Sequence, residues 1–251
     1  MIFPLAGLWQ VSPLTDLSIP QDDITFPAPL SQVLPTSLSE SEIATQEWHL
    51  MHDIDLDEAM LASAAIDLVM SGVTHFAEVR VNGVAVFDCD GFTSEYRKQI
   101  KDYLHLGRNR FEILFLDPED QDWLDEAPQK ALDSEETRVG VWQVPYLEFI
   151  EHVRLEKVTT EQVWHHGGGC EFLVHLHYTT FKPGLVSAAV KFNAMTYHLP
   201  IDVRSDHAMA LFQIEAPNPD IPYSLLVSLD GQQRETHVYL NAKQCVTQQS
   251  K

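Results

Sequence analysis

Paired carboxylates, closely spaced histidines and a scatter of tryptophan and tyrosine are the side chains of this sequence with chemistry to offer. Acidic pairs occur at Asp88 and Asp90, Glu119 and Asp120, and Glu135 and Glu136. Two carboxylates can hydrolyse a glycosidic bond when one donates a proton and the other acts as base or nucleophile. Nothing in the spacing singles out one pair among 37 acidic residues, and a solvated acidic surface accounts for them more simply. His175 and His177 lie two apart in an alternating segment and so share one face of a strand. His165 and His166 precede Gly167-Gly168-Gly169, a turn able to bring a third imidazole to that pair. Three imidazoles would suit zinc or copper. No carboxylate or cysteine stands at a diagnostic ligand spacing, however, and His-x-His on an exposed strand face is commonly structural. Neither a metal nor another cofactor is therefore expected.

Aromatic residues offer a different chemistry. The apolar faces of sugars stack on Trp and Tyr rings while nearby carboxylates accept from the hydroxyls. Trp123, Trp142 and Tyr146 lie in or near an acidic stretch and the strand after it, and Asp90 and Tyr96 follow a hairpin. These five are the candidate ligand-binding residues. Trp9 and Trp48 read as core tryptophans, whereas Trp123 and Trp142 fit a core or a platform equally well. Nucleophilic chemistry finds no support: there is no Gly-x-Ser-x-Gly elbow, and the triple glycine lacks the Lys-Ser/Thr of a phosphate loop.

The charge balance narrows the partners. Thirty-seven acidic residues face 16 basic ones, for a formal net charge of -21, and no Lys or Arg occurs before Arg80. A phosphate-binding surface needs clustered cations, so nucleic acid and anionic membranes are excluded as expected partners. The N-terminus lacks the basic region of a secretory signal, and no stretch approaches the ~20 apolar residues of a membrane span. Three cysteines far apart, Cys89, Cys170 and Cys245, suit free thiols in a reducing compartment, so a cytoplasmic location is expected.

The elements that must position these residues are strands. Ala77, Val79 and Val81 alternate with Glu78 and Arg80, and Asn82-Gly83 follows at once. Asn-Gly favours a type I′ turn because both positions take positive φ, so a hairpin returning through Val84 to Phe87 is expected. Met51 to Asp57 and Phe111 to Leu116 read as further strands, with a short helical turn over Ile100 to Leu104. Asp117 to Glu136 reads as a long acidic excursion with a helix near Trp123 to Leu132. From Val153 onward short strands recur between turns at Lys182-Pro183-Gly184, Pro217-Asn218-Pro219 and Asp230-Gly231, the pattern of an immunoglobulin-like sandwich. The expectation is an all-β chain of two domains, 1–151 and 152–251.

Four motifs now carry a resemblance. Leu5-Ala-Gly-Leu-Trp-Gln10 resembles the opening strand of the sugar-binding domain of glycoside hydrolase family 2. Gly72-Val-Thr-His-Phe-Ala-Glu-Val-Arg-Val-Asn-Gly83 resembles that domain's hairpin signature, with Ala77, Val79, Asn82 and Gly83 in register. Leu104-His-Leu-Gly-Arg-Asn-Arg-Phe-Glu-Ile113 and Gly140-Val-Trp-Gln-Val-Pro-Tyr-Leu-Glu148 resemble the segments that precede and close its jelly roll. The Asp-x-Asp-Gly-Phe-x-x-Glu-Tyr96 stretch is similar to the β-mannosidase branch. The resemblance implies a galactose-binding-like jelly roll followed by an immunoglobulin-like sandwich. In full members a (β/α)8 barrel follows and carries a pair of catalytic glutamates. Here the Asn-Glu dipeptide of the acid/base glutamate occurs nowhere, no barrel fits in the remaining residues, and Asp133 to Arg138 stands where a Gly-Trp-Asp-Trp segment would be. The expected function is therefore non-catalytic carbohydrate binding. The alternatives are a piece of a glycoside hydrolase acting with a separate catalytic chain, or a structural interaction module. A carbohydrate ligand and a catalytic glycosidase chain are the expected partners.

Overall fold

The computed structural model describes residues 1–34, 38–116 and 138–241. The expected helix near Trp123, the pairs Glu119/Asp120 and Glu135/Glu136, and Cys245 lie outside the described residues. The chain forms two compact units, Ile2–Phe149 and, with Met1, Ile150–Lys251. Both are built of strands, and no helix of the described residues is long and apolar enough to cross a membrane.

The first unit is a jelly-roll sandwich of two sheets. Its six-stranded sheet runs in the order β3 (Asp22–Phe26), β2 (Gly7–Pro13), β4 (Trp48–Leu56), β9 (Gly107–Phe115), β6 (Ala77–Val81), β7 (Val84–Cys89). The four-stranded sheet runs β1 (Ile2–Pro4), β10 (Tyr146–Ile150), β5 (Ala65–Ser71), β8 (Glu95–Gln99). Alternation decides which face is buried. Ala77, Val79 and Val81 point into the core, as do Leu50, Ile54 and Leu56 of β4 and Ile66, Leu68 and Met70 of β5. Trp9 and Trp48 are core residues, and each satisfies its indole N–H on a carbonyl: Trp9 on Leu5 at 2.8 Å, Trp48 on Ile43 at 3.0 Å.

The recurrent motifs each do a local structural job. Asn82 and Gly83 take φ of +52° and +81°, as the type I′ turn requires. The Asn82 amide donates to Tyr103 O at 2.8 Å and to Asn109 Oδ1 at 2.9 Å, and its Oδ1 accepts from Arg110 N at 2.8 Å. Asn109, fully buried, donates to the carbonyls of His105 and Gly107 and accepts from His105 N. One amide therefore folds the whole Leu104-to-Asn109 turn. The short helical turn expected there is present at Lys101–Tyr103. Gly140 lies where a Cβ would stand 2.6 Å from Pro29 Cα, so the backbones of the closing segment and of Ala28-Pro29 meet only because that side chain is absent.

A charged triad crosses the four-stranded sheet. Arg97 of β8 donates to Asp67 of β5 at 3.1 Å and to Glu148 of β10. Asp67 is fully buried and Glu148 nearly so. Burial works against the guanidinium charge, but Glu148 and then Asp67 outweigh it and hold the Arg97 pKa above its ordinary value.

The second unit is an immunoglobulin-like sandwich. A three-stranded sheet, β11 (Val153–Trp164), β12 (Cys170–Thr180), β15 (His207–Ile214), stacks on a four-stranded one, β14 (Met195–Ile201), β13 (Val186–Phe192), β16 (Tyr223–Leu229), β17 (Gln232–Val238). Phe172, Phe192 and Phe212 pack at ring separations of 4.4 to 6.5 Å across the core. The alternation in the sequence locates β11, β12, β13, β15 and β16 closely. It misses β14, whose residues are nearly all exposed and lack a buried set to alternate with.

Candidate functional site

The candidate site residues fall into two local arrangements in the first unit. Trp142 sits on the closing segment. Its backbone N–H donates to Gly72 O at 2.9 Å, and its indole N–H donates to Thr74 Oγ1 at 3.2 Å. Thr74 in turn donates to Arg138 O. Bridges between Val73 and Val141 and between Pro29 and Gly140 secure the same segment. The indole is thus fixed at its polar edge while 42% of the residue remains exposed. Trp142 is therefore not a core residue.

Asp90 and Tyr96 are brought together, but for a purpose the sequence does not reveal. Asp90 accepts from Phe92 N and Thr93 N, both at 2.8 Å, from Thr93 Oγ1 at 2.9 Å, and from the Tyr96 hydroxyl. The Tyr96 oxygen also accepts from Gly91 N at 3.0 Å. Burial pushes the Asp90 carboxyl up, yet the Tyr96 hydroxyl and the loop N–H groups outweigh it and bring it down to about 2. Burial and then the Asp90 carboxylate raise Tyr96 to about 12. The pair closes the loop between β7 and β8, and its hydrogen bonds hold that loop.

The two arrangements are linked through the segment Thr74-His75. Gly91 packs on the His75 backbone, where a Cβ would stand 3.2 Å from His75 N, and His75 neighbours the Thr74 that holds Trp142. Phe92, which follows Gly91 in the chain, is 52% exposed. Tyr146 is half-buried on β10 with its Cα opposite Pro4. Trp123 lies outside the described residues. Gly72, Thr74 and Phe92 were not singled out by the sequence, because their roles depend on contacts some 70 residues away or on an exposure that only the fold sets.

Acid–base chemistry gains little. Burial and then Glu78 raise the Asp88 carboxyl while Asp90 is lowered, so the two differ as an acid and a base should. Asp90 Oδ1 accepts from three of the loop's own donors, however, and Oδ2 from Thr93 Oγ1, so the carboxylate is engaged in holding the loop. Cys89 between them is fully buried, and burial pushes its thiol far up, which removes it as a nucleophile.

Among the described residues, one group of three metal-ligand types lies within 4.8 Å: Glu151, His152 and Asp230. Asp230 accepts from His152 N at 2.7 Å and Val153 N at 2.8 Å, which ties the start of β11 to the turn before β17. The gathering of His165 onto His175 and His177 that the turn could have allowed does not occur. His165 is held in its own turn by Gly169 O at 2.9 Å and faces Glu171 at 3.4 Å, at the far end of the strand pair. The third imidazole comes instead from His207 of β15, opposite His177.

Comparison with known proteins agrees with this architecture. Residues 32–148 match the family described as glycosyl hydrolase 2 galactose-binding domain-like. The match covers most of the first unit and none of the second. No curated protein matches the chain in sequence. Solved structures with the same fold include a β-D-mannosidase from Dictyoglomus thermophilum (TM-score 0.75, 15% identity, 95% of this chain and 36% of that one). A putative β-galactosidase from Bacteroides fragilis is similar (TM-score 0.72, 13% identity, 96% of this chain and 41% of that one). So is a calcium-binding mutant of β-glucuronidase 2 from Bacteroides uniformis (TM-score 0.70, 12% identity, 95% and 32%). The chain thus spans about two fifths or less of the length of these three proteins. The similarity to that family is confined to the first unit, and the likeness over both units is one of fold.

Proposed function

We propose that the galactose-binding-like unit contacts carbohydrate as a non-catalytic accessory module, with Trp142 as its stacking platform. The observation that carries this is the exposed Trp142 indole, anchored at its N–H by Thr74 and at its backbone by Gly72. A ring held at its edge loses little freedom when a sugar stacks on its face, so the stacking energy is retained as affinity. Phe92 is a second exposed aromatic ring, and the acidic surface supplies acceptors for hydroxyls. Calorimetry with mannose, galactose and manno-oligosaccharides tests this on wild type and Trp142→Ala. Saturable binding that weakens about tenfold in the variant, roughly 1.4 kcal/mol, is expected. Absence of heat with every sugar would overturn the reading.

A second reading is favoured by one observation: the chain covers only 36% of the β-mannosidase whose fold it shares. On that reading the two units lend structure or substrate contacts to a catalytic barrel on another chain. Co-purification of a barrel protein would support it. On either reading the protein alone is expected to leave aryl glycosides unhydrolysed, and turnover lost on replacing one of its carboxylates would refute both.

A further inference from the structure

The outer face of the three-stranded sheet carries an imidazole cluster that the carbohydrate reading leaves unused. On β12, Phe172, Val174, Leu176 and Tyr178 point into the core, so His175 and His177 project to the other side. On β15, Ala210 and Phe212 are buried, and His207 and Met209 project with the histidines. The register then sets the neighbours. His177 lies directly opposite His207, and His175 directly opposite Met209. Four side chains from two strands therefore occupy one small patch, with the β-carbons of opposed pairs about 4.5–5.5 Å apart.

The ring positions suit a metal. His175 Nδ1 stands 3.0 Å from His207 Nε2. Two imidazole nitrogens on one ion, each at about 2.0–2.1 Å, stand about 2.9–3.4 Å apart for angles from right to tetrahedral. The other nitrogen of His175 faces Glu161 at 3.8 Å, so a carboxylate sits behind the ring where it fixes orientation and raises basicity. His177 packs beside His207 with ring centroids 5.1 Å apart, and its Nε2 faces Thr159 Oγ1 at 3.4 Å. Met209, 45% exposed, adds a thioether, the kind of weak soft donor found beside histidines in copper sites.

We propose that His175 and His207 chelate one copper ion on this face, with His177 and Met209 alongside.

The test is titration of the full, metal-stripped chain with Cu²⁺ at neutral pH, followed by calorimetry and electron paramagnetic resonance. One Cu²⁺ per chain is expected, with a tetragonal spectrum showing nitrogen coupling. His207→Ala and, separately, His175→Gln should each weaken binding by about tenfold or more. Both residues face solvent rather than the core, so near-ultraviolet circular dichroism of these variants should match wild type. The double variant His165→Ala/His166→Ala, which removes two histidines outside the patch, should bind as wild type does. Failure to bind one equivalent of Cu²⁺, or binding that survives His207→Ala, would overturn the site.

Discussion

Replacing Arg97 by Met would take the guanidinium away from two buried carboxylates inside the first unit. The guanidinium links Asp67, fully buried, and Glu148, 6% exposed, and methionine fills similar space without charge. The intact triad need not add much net stability, because removing three charges from water offsets their attraction. Breaking it is a different matter: the partners left behind keep their desolvation cost and lose their compensation, which costs about 3–5 kcal/mol. That is a fifth or more of the ~5–15 kcal/mol that holds a typical domain. Urea unfolding followed by tryptophan fluorescence reads it, since Trp9 and Trp48 lie in the core of this unit. If stranded charge is the cause, adding Asp67→Asn and Glu148→Gln to Arg97→Met should recover part of the loss. A loss below about 1 kcal/mol, or a triple variant no more stable than the single one, would refute the reasoning.

Three further outcomes follow from local geometry. Gly140→Ala should destabilise the first unit by about 1–3 kcal/mol, because the new Cβ would stand 2.6 Å from Pro29 Cα; thermal melts measure it. Asn82→Gly keeps the positive φ of the turn but deletes the bonds to Tyr103, Asn109 and Arg110, a loss of about 1–3 kcal/mol in urea unfolding. Acid should weaken the fold through Asp53 and Asp90. Arg110 and, against the effect of burial, Arg108 hold Asp53 at about 2, and the loop donors hold Asp90 there too. Folded pKa values below the ordinary 3.8 mean that this stability is present above that value and fades as pH falls through about 2. Solvent screening limits each to about 1 kcal/mol, and melts of Asp53→Asn should flatten that part of the acid profile.

Much of the fold is legible in the sequence because it rests on local rules. Asn82-Gly83 demands a hairpin, the alternation of Ala77, Val79 and Val81 demands a buried face, and the spacing of strands and turns after Val153 demands a sandwich. The motifs that carry the family resemblance turn out to be structural. Asn109 folds a turn, Gly140 admits a neighbouring backbone, and Trp9 fills the core with its N–H on Leu5. They announce the architecture without locating a ligand.

The candidate site is another matter. Sequence proposes Asp90 and Tyr96 as ligand contacts, and only the tertiary structure shows that they bond to each other and hold the loop between them. It proposes Trp142 without its exposure, which depends on Gly72 and Thr74 some 70 residues earlier. It finds His175 and His177 by their spacing but looks for the third imidazole next door. His207 arrives from a strand 30 residues on, because antiparallel pairing sets which side chains meet and no local spacing records that register. Composition, periodicity and turn chemistry therefore determine the two all-β units of this protein. Which polar groups are consumed within it and which remain free to act is decided by contacts between residues far apart in the chain.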